Sequence, residues 1–273
     1  MNYYQLTIPS AVSENRDLLI AALTEAGIEG FEEHETHLIA FVSEADYKED
    51  DINAVLNESG LKADMETIAP RNWNAEWEAD FEPVIIDDFC TIRAHFHTIP
   101  VSTKYDIVIT PKMSFGTGHH ATTHLMVAQM EEIDFNNKSV FDFGTGTGVL
   151  AILAEKLGAT KVVAIDNDEW SYENTKENIL LNNCNHIDVS MDAIETLASK
   201  HAFDIILANI NRHILLNYME TMHSLISANG TLLMSGLLSE DETMVSKSAI
   251  DAGFTIRKVN TRNNWITILC KKS

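Results

Sequence analysis

Apolar and polar positions along the chain change their rhythm near residue 70. Before that point, short strand and helix patterns follow one another. Tyr3 to Ile8 alternates as a strand and stops at Pro9-Ser10. Leu18, Leu19, Ala22 and Leu23 recur at helical spacing up to Gly27. Phe31 to Glu33 and Leu38 to Val42 read as two strands, broken near Glu35-Thr36. Val55 and Leu56 belong to a second helix ending at Gly60, and Asp64 to Ile68 reads as a last strand. The order β-α-β-β-α-β predicts a small ferredoxin-like α+β domain over residues 1–68.

Residues 69–83 predict a linker with a short helix. Trp73, Trp77 and Phe81 fall at i, i+4 and i+8, one helical stripe whose first use is packing. Beyond it, Ile85-Ile86, Thr91 to Ala94 and Ile107 to Thr110 are short strands before a glycine-containing loop. From His119 onward, helix-length segments separate the apolar runs Ser139–Phe143, Val162–Ile165, Asp204–Ala208, Thr231–Met234 and Phe254–Val259. Trp265 to Cys270 adds a strand near the end. Such alternation predicts a doubly wound, mostly parallel sheet, a Rossmann-like α/β domain over residues 84–273.

Composition narrows what this architecture serves. The 273 residues are 45% hydrophobic, enough for a sizeable core, and carry 19 basic against 41 acidic side chains, a net charge of −22. That balance argues against direct nucleic-acid binding, which needs a Lys or Arg for each phosphate contacted. Residues 1–66 hold 3 basic and 15 acidic side chains, so over half of the excess lies in about a quarter of the chain. Solubility explains this asymmetry as well as attraction of a basic partner does. Cys90, Cys184 and Cys270 are scattered, without disulfide or zinc spacing. With no secretory leader pattern and no apolar run near 18 residues, the expectation is a cytoplasmic protein without a membrane contact.

The strongest chemical signal is the run Val140-Phe141-Asp142-Phe143-Gly144-Thr145-Gly146-Thr147-Gly148. An apolar strand enters three glycines and a helix begins, so the backbone can approach a ligand closely and aim helix N-terminal N–H groups at it. Counted from Gly144 the spacing is G-x-G-x-G; counted from Gly146 it is G-x-G-x-x-A, which a dinucleotide fold tolerates. The next strand ends in Asp166, 22 residues after Gly144, where a carboxylate can accept both ribose hydroxyls of an adenosine cofactor. Its plainer role is a helix N-cap, which Asp168 fits better. Asn209 follows a third strand and can offer an amide beyond a strand's carboxyl end, or simply form a turn. His119, His120 and His124 invite a metal reading, but Ala121 stands where a metalloprotease has Glu, and no third ligand is suggested, so no metal is expected. His95 and His97, on one strand face, read as surface or packing.

The glycine loop with Asp166 resembles the motifs of class I S-adenosylmethionine-dependent methyltransferases. Phe115-Gly116-Thr117-Gly118-His119 with Thr122-Thr123, followed by the glycine loop and Ala208-Asn209-Ile210, is similar to the ribosomal protein L11 methyltransferase family (PrmA). Trp73, Trp77, Pro83 and the small first domain fit as well. The resemblance implies S-adenosylmethionine as cofactor, contacted by Phe115, Gly116, Thr123, Gly144, Gly146, Asp166 and Asn209, with Asn209 where methyl and acceptor amine meet. It implies methylation of lysine side chains or the N-terminal amine of a basic large-subunit ribosomal protein, presented by the first domain to a monomeric enzyme. The chain departs from the family pattern at Thr110-Pro111-Lys112-Met113, where Asp-Pro-Gly is usual, and at Ala121 and Thr145, where Pro and Cys are usual.

Three other readings stay open on the residues alone. A nicotinamide-dependent oxidoreductase would use the Gly146 spacing but leaves the Phe115–His119 block unexplained. A nucleic-acid methyltransferase of the adenine type would carry Asn-Pro-Pro-aromatic, where Asn209 is followed by Ile-Asn-Arg. A class I homologue turned to another protein or small amine, or to cofactor binding alone, keeps every motif.

Overall fold

The computed structural model describes residues 3–9, 16–34, 36–68, 81–112, 114–197 and 202–273. The chain divides into two compact units, residues 1–80 and 81–273. Trp73 and Trp77, with most of the expected linker, lie outside the described residues.

In the first unit, β1 (Tyr3–Pro9), α1 (Arg16–Glu25), β2 (Gly30–Glu33), β3 (His37–Ser43), α2 (Glu49–Glu58) and β4 (Asp64–Ile68) follow the expected order. The four strands form one antiparallel sheet in the order β2-β3-β1-β4. Leu6 and Ile8 of β1 and Leu38, Ala40 and Val42 of β3 point to one face, at period two. There they bury Leu19, Leu23, Ile52 and Leu56 of the helices.

The second unit opens with β5 (Val84–Ile86), β6 (Cys90–Ala94) and β7 (Tyr105–Ile109), a three-stranded sheet in that order. Then come α3 (Ala121–Met130), β8 (Ser139–Phe143), α4 (Val149–Lys156), β9 (Lys161–Ile165), α5 (Glu169–Leu181), β10 (Ile187–Ser190), α6 (Ile194–Leu197), β11 (Phe203–Asn209), α7 (Arg212–Leu225), β12 (Ile226–Leu238), α8 (Glu242–Asp251), β13 (Phe254–Arg262) and β14 (Trp265–Lys272). The large sheet runs β10-β9-β8-β11-β12-β14-β13; its first five strands are parallel, β14 pairs antiparallel with β12, and β13 pairs antiparallel with β14 at the edge.

The apolar runs are continuous because both faces of this sheet are covered. Val140, Val162, Ala164, Ile205 and Leu207 enter one core, while Phe141, Val163, Ile165, Ile206 and Ala208 enter the other. Alternate residues of each strand thus anchor opposite helix layers. β10 is absent from the sequence reading: Ile187-Asp188-Val189-Ser190 is too short and too polar to signal a strand until β9 pairs with it. His95 and His97 lie in the turn after β6 and not on its face. The His97 ring accepts the Ala94 N–H through Nδ1 (3.1 Å) and bonds the Phe81 carbonyl through Nε2 (2.6 Å).

Phe141 is fully buried and stacks with Phe143 and Phe203 at centroid distances of 5.8 and 5.3 Å. Phe141→Ala is expected to cost about 3–5 kcal/mol of stability, read as a lower denaturant midpoint with an unchanged m-value.

Candidate active site

The site is built where β8, β9 and β11 end. Gly144, Gly146 and Gly148 all have positive φ (76°, 58° and 81°), so the loop turns sharply into α4. At Gly146 a side chain is excluded by backbone: a Cβ would stand 2.2 Å from the Phe115 carbonyl oxygen. That contact lays the Phe115–Gly118 segment directly on the glycine loop. Thr147 fastens it, its N–H donating to the Phe115 carbonyl (2.9 Å) and its hydroxyl to the Gly116 carbonyl (2.8 Å).

The loop's N–H groups are committed to protein acceptors. Gly144 and Thr145 donate to the Ile165 carbonyl, Gly146 to Asp166 Oδ2 (2.9 Å), Thr147 to Phe115 and Gly148 to Thr145. This corrects the expectation that the loop aims its amides at a ligand. A pyrophosphate cradle needs those donors free, so the geometry does not suit a dinucleotide. The glycines serve close approach instead.

Asp166 follows β9 directly. Its Oδ2 accepts the Gly146 N–H, and its Oδ1 accepts the Asp168 N–H at 3.1 Å. Each carboxylate oxygen keeps a free lone pair, so the fixed group can still accept a pair of hydroxyls. Asp168 is the N-cap of α5, accepting the Ser171 N–H at 2.8 Å. Asp166 and Gly144 line a cleft of about 380 Å³ with Asn167, Ile194, Ile210 and Tyr218. Asp192 and Glu195 also line it, and apolar walls with three carboxylates suit a nucleoside better than a phosphate, which they would repel.

On the other side of Gly144, Asn209 ends β11. Its Nδ2 reaches Thr123 Oγ1 at 3.4 Å, while its Oδ1 is buried with no hydrogen-bond partner. A buried acceptor left unmade is costly, and a donor brought by a ligand relieves the cost. Thr123 is fully buried in the first turn of α3, whose N-cap is His120. The His120 Nδ1 accepts the Thr122 N–H (3.3 Å), so the neutral ring carries its proton on Nε2. That ring meets Phe115 and Trp265 edge-on, at 5.1 and 4.6 Å. Among the described residues, no three His, Cys, Asp or Glu side chains are grouped to hold a metal ion.

All of the site residues named from the sequence fall within this one region. Gly146 touches Asp166 and Phe115, Gly116 touches Thr147, and Thr123 touches Asn209. The sequence reading passed over Asp142, on β8 beneath the glycine loop. It is fully buried; Oδ2 accepts the Thr145 hydroxyl at 2.7 Å, and Oδ1 has no partner. Burial pushes its carboxyl up to about 7 and the Asp166 charge adds to the rise, against the pull of Thr145 and the Ala151 backbone. An acid inside an apolar strand was the available signal.

The sign of the linkage follows. Between the ordinary value of 3.8 and about 7, the folded chain holds a proton on Asp142 that the unfolded chain has lost. Its contribution to stability therefore falls as pH rises through that window and levels off above it. Asp142→Asn removes the titration. Stability relative to the parent is expected to rise from about pH 4 to about pH 7, checked by paired denaturant melts.

Comparison with known proteins places this geometry. The family model described as ribosomal protein L11 methyltransferase (PrmA) matches residues 8–273. A ribosomal protein L11 methyltransferase of Porphyromonas gingivalis is 41% identical over 270 residues, covering 97% of this chain and 92% of that protein. One from Bacteroides thetaiotaomicron is 39% identical over 277 residues, covering 98% and 99%. A crystal structure of ribosomal protein L11 methylase from Lactobacillus delbrueckii subsp. bulgaricus superposes with a TM-score of 0.64 at 26% identity, over 71% of this chain and 100% of that one. A match over nearly the whole chain, with the Phe115–Gly118 segment seated on the glycine loop, shows that this chain belongs to the ribosomal protein L11 methyltransferase family.

Proposed function

We propose that this chain is a protein N-methyltransferase that transfers methyl groups from S-adenosylmethionine to amines of ribosomal protein L11. We further infer that the first unit, a ferredoxin-like fold, recognises the substrate, and that the enzyme acts in the cytoplasm as a monomer. The observation that carries the reading is Asn209: a buried, unpartnered amide oxygen beside Thr123, at the strand end next to a nucleoside-sized cleft. Family membership supplies the reaction class.

When bound, the cofactor supplies a methyl already activated on a sulfonium. The residues then have to bind, orient and desolvate. Asp166 accepts the ribose hydroxyls through its free lone pairs, held in place by the Gly146 and Asp168 amides. Gly144 lets the Ile210 side chain lie against the loop at the wall of the cleft, since a Cβ there would stand 2.3 Å from Ile210 Cγ2. The Asn209 oxygen accepts an N–H of the incoming amine and aligns its lone pair, which is proximity and orientation rather than acid–base work. A lysine must first lose a proton, at about 4 kcal/mol near neutral pH, whereas an α-amine near pKa 8 loses one far more cheaply. Burial of the amine at the site would favour its neutral form. Solvent takes the proton: His120, with Nδ1 occupied by a backbone N–H, is no ready base.

The acidic first segment suits a basic protein substrate, because opposite charge speeds encounter and favours the right partner. The same charge disfavours a nucleic-acid substrate.

Three experiments test the reading. Asp166→Ala should weaken S-adenosylhomocysteine binding in calorimetry, and Asn209→Ala should abolish label transfer from S-adenosylmethionine to purified L11. Unchanged affinity in the first, or full turnover in the second, rejects the assigned role. Raising salt from about 50 to about 300 mM should raise KM for L11 severalfold while leaving cofactor affinity nearly constant. Equal effects on both would show that the charged segment does not steer the substrate.

A further inference from the structure

Helix α5 and its C-cap carry three asparagines at i, i+4 and i+8, Asn174, Asn178 and the capping Asn182, all buried. Asparagine is a weak helix former because its amide competes with the backbone. Here the three amides behave like a neighbouring strand. Asn182 accepts the Val108 N–H (3.0 Å) and donates to the Val108 carbonyl (2.6 Å). Asn178 accepts the Thr110 N–H (2.8 Å), and Asn174 donates to the Thr110 carbonyl (3.0 Å). The amides thereby pair with the free edge of β7 at Val108 and with Thr110, the residue just after the strand.

Only Asn178 also reaches the glycine loop, its Nδ2 donating to the Thr147 carbonyl at 2.8 Å. Thr147 in turn holds Phe115 and Gly116 through its N–H and hydroxyl. One buried amide therefore joins the start of the segment from Thr110 to Gly118 to the loop on which the end of that segment rests. The circuit is closed: Thr110, Asn178, Thr147, Phe115. Thr175, one turn of α5 away, adds a bond from its hydroxyl to the Gly146 carbonyl at 2.7 Å.

We propose that Asn178 is a positioning residue for methyl transfer, a clasp that ties the glycine loop to Thr110 and, through Thr147, to Phe115 and Gly116, and so fixes the loop that supplies Gly144 to the wall of the cofactor cleft. The reading of that wall as a cofactor contact rests on the proposed function; the clasp itself does not. Asn182 shares the ladder but reaches only β7 and the helix backbone, which makes it the matched control.

Three variants of the full chain separate the roles. Asn178→Ala removes both arms. Asn178→Asp keeps the acceptor for Thr110 and loses the donor to Thr147, and it serves if the alanine variant does not fold. Asn182→Ala loosens β7 alone. In amide hydrogen exchange, both Asn178 variants should lose protection jointly at residues 144–148 and 115–118, and Asn178→Ala also at Thr110. Asn182→Ala should lose it only within β7. S-adenosylhomocysteine should bind the Asn178 variants roughly tenfold more weakly, and the KM for S-adenosylmethionine should rise more than kcat falls; Asn182→Ala should stay within about twofold of the parent.

Retained loop protection in both Asn178 variants would overturn the clasp. So would an equal loss of affinity in Asn182→Ala, which would mark a general packing effect. A parent chain that does not bind S-adenosylhomocysteine at all would reject the cofactor reading, and the exchange pattern would still decide the clasp.

Discussion

The approach of the Phe115 carbonyl to Gly146 is the contact on which the rest of the site depends. No side chain of any size fits between them, because a Cβ would fall 2.2 Å from the oxygen. Once this approach is made, the Thr147 N–H and hydroxyl find their acceptors, and the Gly146 N–H is left to the Asp166 carboxylate. The glycine loop is thus a place where three chain segments converge, not an open cradle of donors. Its chemistry follows from that. A loop with its amides spent has nothing to offer a phosphate, but it can lie flat against a nucleoside while the acid at its side stays fixed.

Burial sets the character of the remaining groups. Asp142 lies buried under the loop with the Thr145 hydroxyl bonded to one oxygen, and desolvation outweighs the pull of Thr145 and the Ala151 backbone on its proton. The three cysteine thiols are pushed up by burial, to about 12 for Cys90 and Cys270 and about 11 for Cys184. Thiols kept protonated in this way are filler rather than nucleophiles. The chemistry is left to oriented amides and carboxylates.

Much of this was legible in residue order. Strands with both faces buried leave continuous apolar runs, and those runs located β8, β9, β11, β14 and the middle of β12; β13, read as a buried strand, is an edge strand largely exposed after Phe254. Strong local grammar located Gly144, Gly146, Asp166 and Asn209, since glycine after a strand and a carboxylate at a strand's end carry meaning without neighbours. Asp168 was read correctly as the cap of α5 on the same footing. What stayed hidden depends on contacts between distant segments. β10 becomes a strand only through pairing with β9. Asn174, Asn178 and Asn182 look like polar helix surface until β7 supplies its edge, 64 to 74 residues away in sequence. The loop amides looked available because nothing in the sequence says which acceptors will reach them.

The sequence by itself determined the periodicities, the placement of glycines and terminal acids, and the concentration of negative charge in the first 66 residues. These are local properties, written in residue type and spacing, and they were sufficient to point to the family. Only the tertiary structure decided how each hydrogen-bonding group is spent. Whether an N–H faces a ligand or a carbonyl depends on which segment packs within 3 Å of it. Close packing settles that across the whole unit at once, so Asn209 is left with a buried oxygen to offer and the glycine loop is not.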